Sequence, residues 1–294
     1  MMKKLAFGCY AKVLCYVIFL LLLIGSTDAC RSQSIDHRLS KANSLFFEKD
    51  YTNALPAYNQ LLTELTDSVD LSNLYCYAAI CSEKLKDTIQ AYGYYKNAVA
   101  YRSVQMSVYN KLYSLAGKRN DMACQEFVLL QKIGVFPSEQ KESRKKLAYL
   151  YAATRQYSKL LKLAEQLLYD EPANHEYHYL KGVALQNFGE TEMAEQSLRK
   201  ALEMNPDDYA ANVNLGLLLF NRASAAFDKD QAEYEKVNDP TWNEYLVYLQ
   251  KMKQIKAMYN EAEPYLSKAC QMNCNDSLKR ALEILKSRTA EIKG

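Results

Sequence analysis

The chain has 294 residues, a formal net charge of +3 and 49% hydrophobic residues, with only nine Gly and six Pro. Few breakers and few alternating runs of Val, Ile and Thr exclude a strand-rich fold and indicate a nearly all-helical protein. The small charge is spread along the chain, forms no basic stripe able to neutralise phosphates, and so argues against a nucleic-acid partner.

The first element stands outside the fold. Lys3, Lys4 and Lys12 precede an apolar run from Val13 to Ile24, and Gly25-Ser-Thr-Asp-Ala-Cys30 follows it. Twelve apolar residues are short for a bilayer span and fit the apolar region of a secretory signal. Thr27 and Ala29 are small residues at −3 and −1 for cleavage before Cys30, giving a leader over 1–29 and a short linker over 30–34. The stretch also resembles a bacterial lipoprotein signal, which implies acylation of Cys30 and a lipid anchor. It departs from that pattern at Thr27 and Asp28. Acylation of Cys30, cleavage alone and an uncleaved anchor stand as alternatives, and all imply export, to the periplasm or outer membrane of a Gram-negative bacterium.

From Ser34 onward the pattern is one of helical hairpins. Ala42, Asp50-Tyr51, Ala54 and Tyr58 mark a first repeat, and Tyr75, Ala79, Ala91, Tyr95 and Ala98 a second. A third carries Gly117, Ala123 and Phe127 and ends near Pro137. The fourth and fifth contain Tyr157–Pro172 and Thr191–Pro206, two amphipathic segments thirty-four residues apart, each ended by proline. A fixed period of this size predicts stacked hairpins, none able to bury its apolar face without its neighbours.

The sixth repeat begins with Leu215 and Gly216, but its second half appears only at Ala262, Tyr265, Leu266 and Ala269, with Asn273-Cys274 where Asn-Pro is expected. A helical insert at about 224–257 separates the halves, and its aromatic residues include Trp242 and Tyr245, candidates for a contact of their own. A final helix, Leu278 to about Ile292, has a charged outer face suited to capping the array.

Residues 175–208 carry Gly182, Gly189, Ala194, Ala201 and Pro206 in a register that resembles the tetratricopeptide repeat family, departing at Lys181. In the preceding repeat Leu160 and Leu167 replace the two alanines. The resemblance covers about 35–288. It implies an all-α, right-handed alpha-alpha superhelix of about six helix-turn-helix repeats plus a C-terminal capping helix. It further implies a concave groove for a protein or peptide, lined here by Tyr77, Ile80, Tyr109, Leu112, Tyr149, Tyr179, Val183, Val213, Asn214, Leu217 and Phe220. Cys76, Val108 and Leu180 fall on the same set of positions. Tight curvature of the array would instead bury some of these side chains against one another.

The family's clamp for chaperone C-termini is absent, because Tyr179 and Val183 stand where lysine and asparagine are required.

No phosphate-binding loop, nucleophile elbow or zinc-protease helix occurs. His175 and His178 lie three apart without visible further ligands, so the chain reads as a non-catalytic scaffold that needs no cofactor or metal. A structural subunit of an envelope assembly and a glycan- or peptide-sensing accessory module are the competing readings. Cys270 and Cys274 share a helix face near its end, and could bridge, share a metal or pack as small hydrophobes.

Overall fold

The computed structural model describes residues 34–65 and 68–292, which divide into two compact units at Gln140/Lys141. The leader over 1–29 and Cys30 lie outside the described residues. Unit one contains α1 (34–47), α2 (Tyr51–Leu62), α3 (Ser68–Lys84), α4 (Thr88–Ala100), α5 (Met106–Lys118) and α6 (Met122–Val135), then a single 3₁₀ turn, Pro137–Glu139. Unit two contains α7 (Gln140–Ala153), α8 (Tyr157–Asp170), α9 (His175–Asn187), α10 (Thr191–Met204), α11 (Tyr209–Tyr234), α12 (Trp242–Met272) and α13 (Asp276–Glu291). The described residues thus form six hairpins and one closing helix, with no strand. No described helix is long and apolar enough to cross a membrane.

Five of the hairpins turn in the same way. Lys49, Lys86, Asn120, Arg155 and Gly189 each adopt positive φ, between 54° and 78°. The residue after each donates its N–H to a carbonyl five residues back, as in Asp50 to Leu45, Asp121 to Ala116 and Glu190 to Leu185. This left-handed close satisfies the last carbonyls of the first helix. In unit one the next residue is aspartate, and Asp50, Asp87 and Asp121 each cap the second helix by accepting a backbone N–H. Only one of the five sites carries glycine, so the periodic turns are poorly marked by composition.

Small residues let the two helices of a hairpin approach. A Cβ on Gly182 would lie 2.8 Å from Leu198 Cγ, and one on Gly216 would lie 2.8 Å from Leu266 Cδ2 and 3.1 Å from the Leu266 backbone nitrogen. Gly216 follows Gly182 by one period, whereas Leu266 follows Leu198 by two. The sixth hairpin therefore closes on the same glycine–leucine contact with an additional thirty-four residues between its halves. In the fourth hairpin the sizes are exchanged. Ala148 stands at the glycine position and Ala164 at the leucine position, while Leu160 and Leu167 fill the places of Ala194 and Ala201. All four are buried, so local volume is conserved while its distribution changes.

A polar network joins α10, α11 and α12. Glu195 accepts from Arg199 Nε at 2.9 Å and from Arg222 Nη1 at 2.6 Å, and Arg199 also pairs with Glu261 and donates to the Tyr265 hydroxyl at 3.0 Å. Further out, Arg288 of α13 donates to the Tyr259 hydroxyl at 2.8 Å and to Asp228 at 2.7 Å. The closing helix is thereby held along α11 and α12 by charge as well as by buried Leu278, Ala281 and Leu285.

The two helices of the sixth hairpin run 26 and 31 residues, against 13 and 14 in the fifth. Their core contacts end at Phe227 and Met252, and no side chain from Asp228 to Lys251 is buried. The distal part of this hairpin is therefore an exposed arm of the unit.

Candidate partner-binding surface

The expected groove residues separate by burial. Tyr109, Leu112 and Phe220 are buried, as are Cys76, Val108 and Leu180, and these are corrected from ligand contacts to core. Tyr109 is wholly inaccessible. It packs edge-on against Phe136 at 5.0 Å, its hydroxyl has no hydrogen-bond partner, and burial raises its phenol to about 12. Phe220 packs on Tyr259 at 5.9 Å within the core of unit two. Tyr77 and Ile80 are half-buried, and Tyr77 is enclosed by Tyr58, stacked at 5.5 Å, and Phe46 at 5.0 Å. The cause is aromatic content: in unit one the neighbouring helices supply rings that fill the space a ligand would take.

Unit two keeps an accessible first-helix face. Tyr149 of α7 is 40% exposed, and Tyr179 and Val183 of α9 and Val213, Asn214 and Leu217 of α11 are half-buried. Asn214 Nδ2 donates to the carbonyl of Ala210 at 2.8 Å. Polar pairs surround the two tyrosines. Lys145 of α7 pairs with Glu176 of α9, and His175 Nδ1 lies 3.3 Å from Asp208 Oδ2, the cap of α11. Burial raises the phenols of Tyr149 and Tyr179, with neighbouring carboxylates adding to the effect, so both remain neutral hydroxyls. The face thus offers aromatic area, a short aliphatic strip and both charge signs.

Lys145 and Glu176 were not singled out as groove residues from the sequence, whereas Asp208 is the helix cap that an acidic pair after Pro206 suggests. Lys145 and Glu176 fall on the same repeat positions as the apolar candidates, so the positional rule that selected Tyr179 also points to them. His178 Nε2 lies 2.9 Å from the carbonyl of Pro172, so both histidines hold turns rather than face each other. Among the described residues no group of three or more His, Cys, Asp or Glu is placed to hold a metal ion.

The tip of the exposed arm is the second candidate surface. Trp242 is 70% exposed beside Tyr245, with ring centroids 5.6 Å apart, and Val237, Leu246 and Val247 are exposed around them. Tyr234 and Tyr248 stack at 4.1 Å and line a shallow cavity of about 290 Å³ with Val237, Asn243, Val247 and Lys251. Thr241 and Glu244 form a reciprocal capping box that starts α12 at this point. Lys251 pairs across the arm with Asp230 at 3.0 Å.

Comparisons with known proteins bear on the fold. Residues 175–208, the fifth hairpin, match the tetratricopeptide repeat family. No curated protein matches the chain in sequence. Among solved structures, one from Bacteroides ovatus, described as a candidate protein-binding protein, is 18% identical, with 76% of this chain and 99% of that one covered at a TM-score of 0.51. YrrB, described as a tetratricopeptide repeat protein with an unusual peptide-binding site, is 19% identical over 59% of this chain and 88% of its own, with a TM-score of 0.37. MamA from Desulfovibrio magneticus is 13% identical over 66% and 98%, with a TM-score of 0.40. Stacked hairpins of this period, closed by a polar-faced helix, define a helical-repeat protein. One of the hairpins, residues 175–208, is a tetratricopeptide repeat, and the described residues form an all-α array of six hairpins and a closing helix.

Proposed function

We propose that the chain is a non-catalytic scaffold that binds a peptide or protein segment across the first-helix face of α7, α9 and α11. The observation that carries this reading is the accessible pair Tyr149 and Tyr179 beside Val183, Val213 and Leu217, ringed by Lys145, Glu176 and Asp208. Tyrosine supplies large contact area with little entropy loss, and mixed charge at the rim gives register. The Bacteroides ovatus structure, described as a candidate protein-binding protein, supports binding as the general role. Selecting peptides from a displayed random library against the full chain tests it. The selected peptides should carry apolar or aromatic anchors, and Tyr149→Ala should weaken them about tenfold or more. Peptides that bind Tyr149→Ala as well as the parent would remove this face from the account.

The distal arm favours a second contact, through Trp242 and Tyr245, with a neighbouring subunit of an assembly. An exposed aromatic cluster at the end of a helical arm is a common form of such a contact.

Export to the envelope of a Gram-negative bacterium completes the reading. The Lys3–Cys30 segment supports it, and so does the Cys270–Cys274 bridge, since disulfides persist in oxidising compartments. The mass of the mature N-terminus decides the form: a diacylglyceryl modification on Cys30 identifies a lipid anchor, an unmodified Cys30 a secreted chain. An intact Met1 would refute leader removal in either form.

A further inference from the structure

The disulfide occupies an informative place in the repeat. α8, α10 and α12 end alike. The residue after each is extended, with φ/ψ of −136/78 at Glu171, −136/88 at Asn205 and −159/98 at Asn273. Each donates its N–H to the carbonyl four residues back, at Leu167, Ala201 and Ala269. After Glu171 and Asn205 comes proline, which has no N–H and forces the preceding residue out of the helical region. Carrying the thirty-four-residue period from Pro206 across the insert leads to position 274, where Cys274 stands, and from Leu202 to position 270, where Cys270 stands. Cys274 is bonded to Cys270.

We infer that the Cys270–Cys274 disulfide replaces the terminating proline of the repeat, which makes the junction between α12 and the closing helix α13 dependent on oxidation. Cys274 retains its N–H and tolerates helical backbone, so residue type alone does not stop α12. The bridge ties Cys274 back to the last turn and fixes where the chain leaves the helix. Two interactions depend on that exit. Asn275 caps α13 by accepting the Leu278 N–H at 2.9 Å, and Tyr209 at the start of α11 donates its hydroxyl to the carbonyl of Asn273 at 3.2 Å. The following helix also starts a residue earlier than in the proline-ended repeats, because the cap is at Asn275 and not at Asp276, the counterpart of Asp208.

Cys270 and Cys274 are half-buried and within reach of a dithiol, whereas Cys76, Cys81 and Cys124 are buried free thiols of the other unit. Reduction breaks the one S–S bond. Two electrons and two protons pass from the dithiol to the two sulfurs, and the reductant leaves as its own disulfide. α12 is then free to run past Met272, which removes Asn275 from its capping position and loosens the first turns of α13. Leu278 and Ala281, which close the core of unit two there, become accessible.

Hydrogen exchange on the full chain, with and without a small dithiol, tests this. Amides over 278–282 should exchange about tenfold faster on reduction, because that segment opens locally while the rest of the array holds. Cys270→Ser/Cys274→Ser should exchange at the reduced rate under both conditions. Cys270→Leu/Cys274→Pro, which restores the residues of the fifth hairpin, should show the oxidised rate under both. Unchanged exchange on reduction would overturn the inference, as would a Leu/Pro variant that exchanges as fast as the Ser/Ser variant.

Discussion

Gly216→Ala is expected to destabilise the protein by about 3 kcal/mol, whereas Gly93→Ala is expected to stabilise it by about 0.5–1 kcal/mol. The substitution is the same, and both glycines are within helices. Alanine is the better helix former and restricts the unfolded chain, so the intrinsic effect favours it at both sites. At Gly93 a new methyl would meet nothing within 4 Å, and that preference is all that remains. At Gly216 the methyl would meet Leu266 Cδ2 at 2.8 Å, Cγ at 2.9 Å and the backbone nitrogen at 3.1 Å. The leucine side chain can rotate away, but the backbone nitrogen retreats only if α12 moves from α11. Gly182 meets a leucine side chain at the same distance but a backbone oxygen only at 3.4 Å, so Gly182→Ala should cost less, about 1–2 kcal/mol. Denaturant unfolding of the three variants supplies the order. Adding Leu266→Ala to Gly216→Ala should cost less than the two single changes together, because one change makes room for the other.

Glu195→Ala is expected to cost about 2–3 kcal/mol, more than any exposed ion pair of the molecule. Its carboxylate receives Arg199 and Arg222 and is mostly shielded from solvent. Removing it leaves two guanidinium groups with Glu261 as their remaining acid. Burial pushes this carboxyl upward, but hydrogen bonds from Arg199 and Arg222 outweigh it and the net shift is downward. A depressed folded value means the network contributes fully above the ordinary carboxylate value of 4.5 and is lost as pH falls through the folded value. Stability measured from pH 6 downward should therefore fall less steeply in Glu195→Ala than in the parent. Parallel profiles would show that Glu195 adds nothing through its charge.

Much of the fold was legible because it depends on residue size at fixed spacing. Gly182, Ala194, Leu198, Ala201 and Pro206 are each needed at a helix–helix approach or a helix end, and the period exposes them. The fourth repeat departs from the pattern at Leu160 and Leu167 because these, with Ala148 and Ala164, solve the same packing problem with the sizes exchanged, which a residue-by-residue pattern registers as mismatch. The turns were less legible still. Lys49, Lys86 and Arg155 adopt a left-handed conformation that side chains of their type do not announce.

The surface was only partly legible, for a different reason. Repeat position states which way a residue points, but its accessibility depends on what the adjacent hairpin places opposite. Tyr109 and Tyr149 were equivalent candidates. Phe136 packs against the first, while the second, 40% exposed, lies near Tyr179, Asp208 and the charged Lys145–Glu176 pair. A sequence rich in tyrosine fills its own grooves where two rings meet and leaves them open where one faces a charged pair.

The most direct test of a binding face on α7, α9 and α11 is to map a selected peptide by hydrogen exchange on the full chain. Protection confined to the face that carries Tyr149, Tyr179 and Leu217, with none at 235–247, is the predicted result. Protection at the arm tip around Trp242, with α7 and α9 unaffected, would contradict it and assign recognition to the insert.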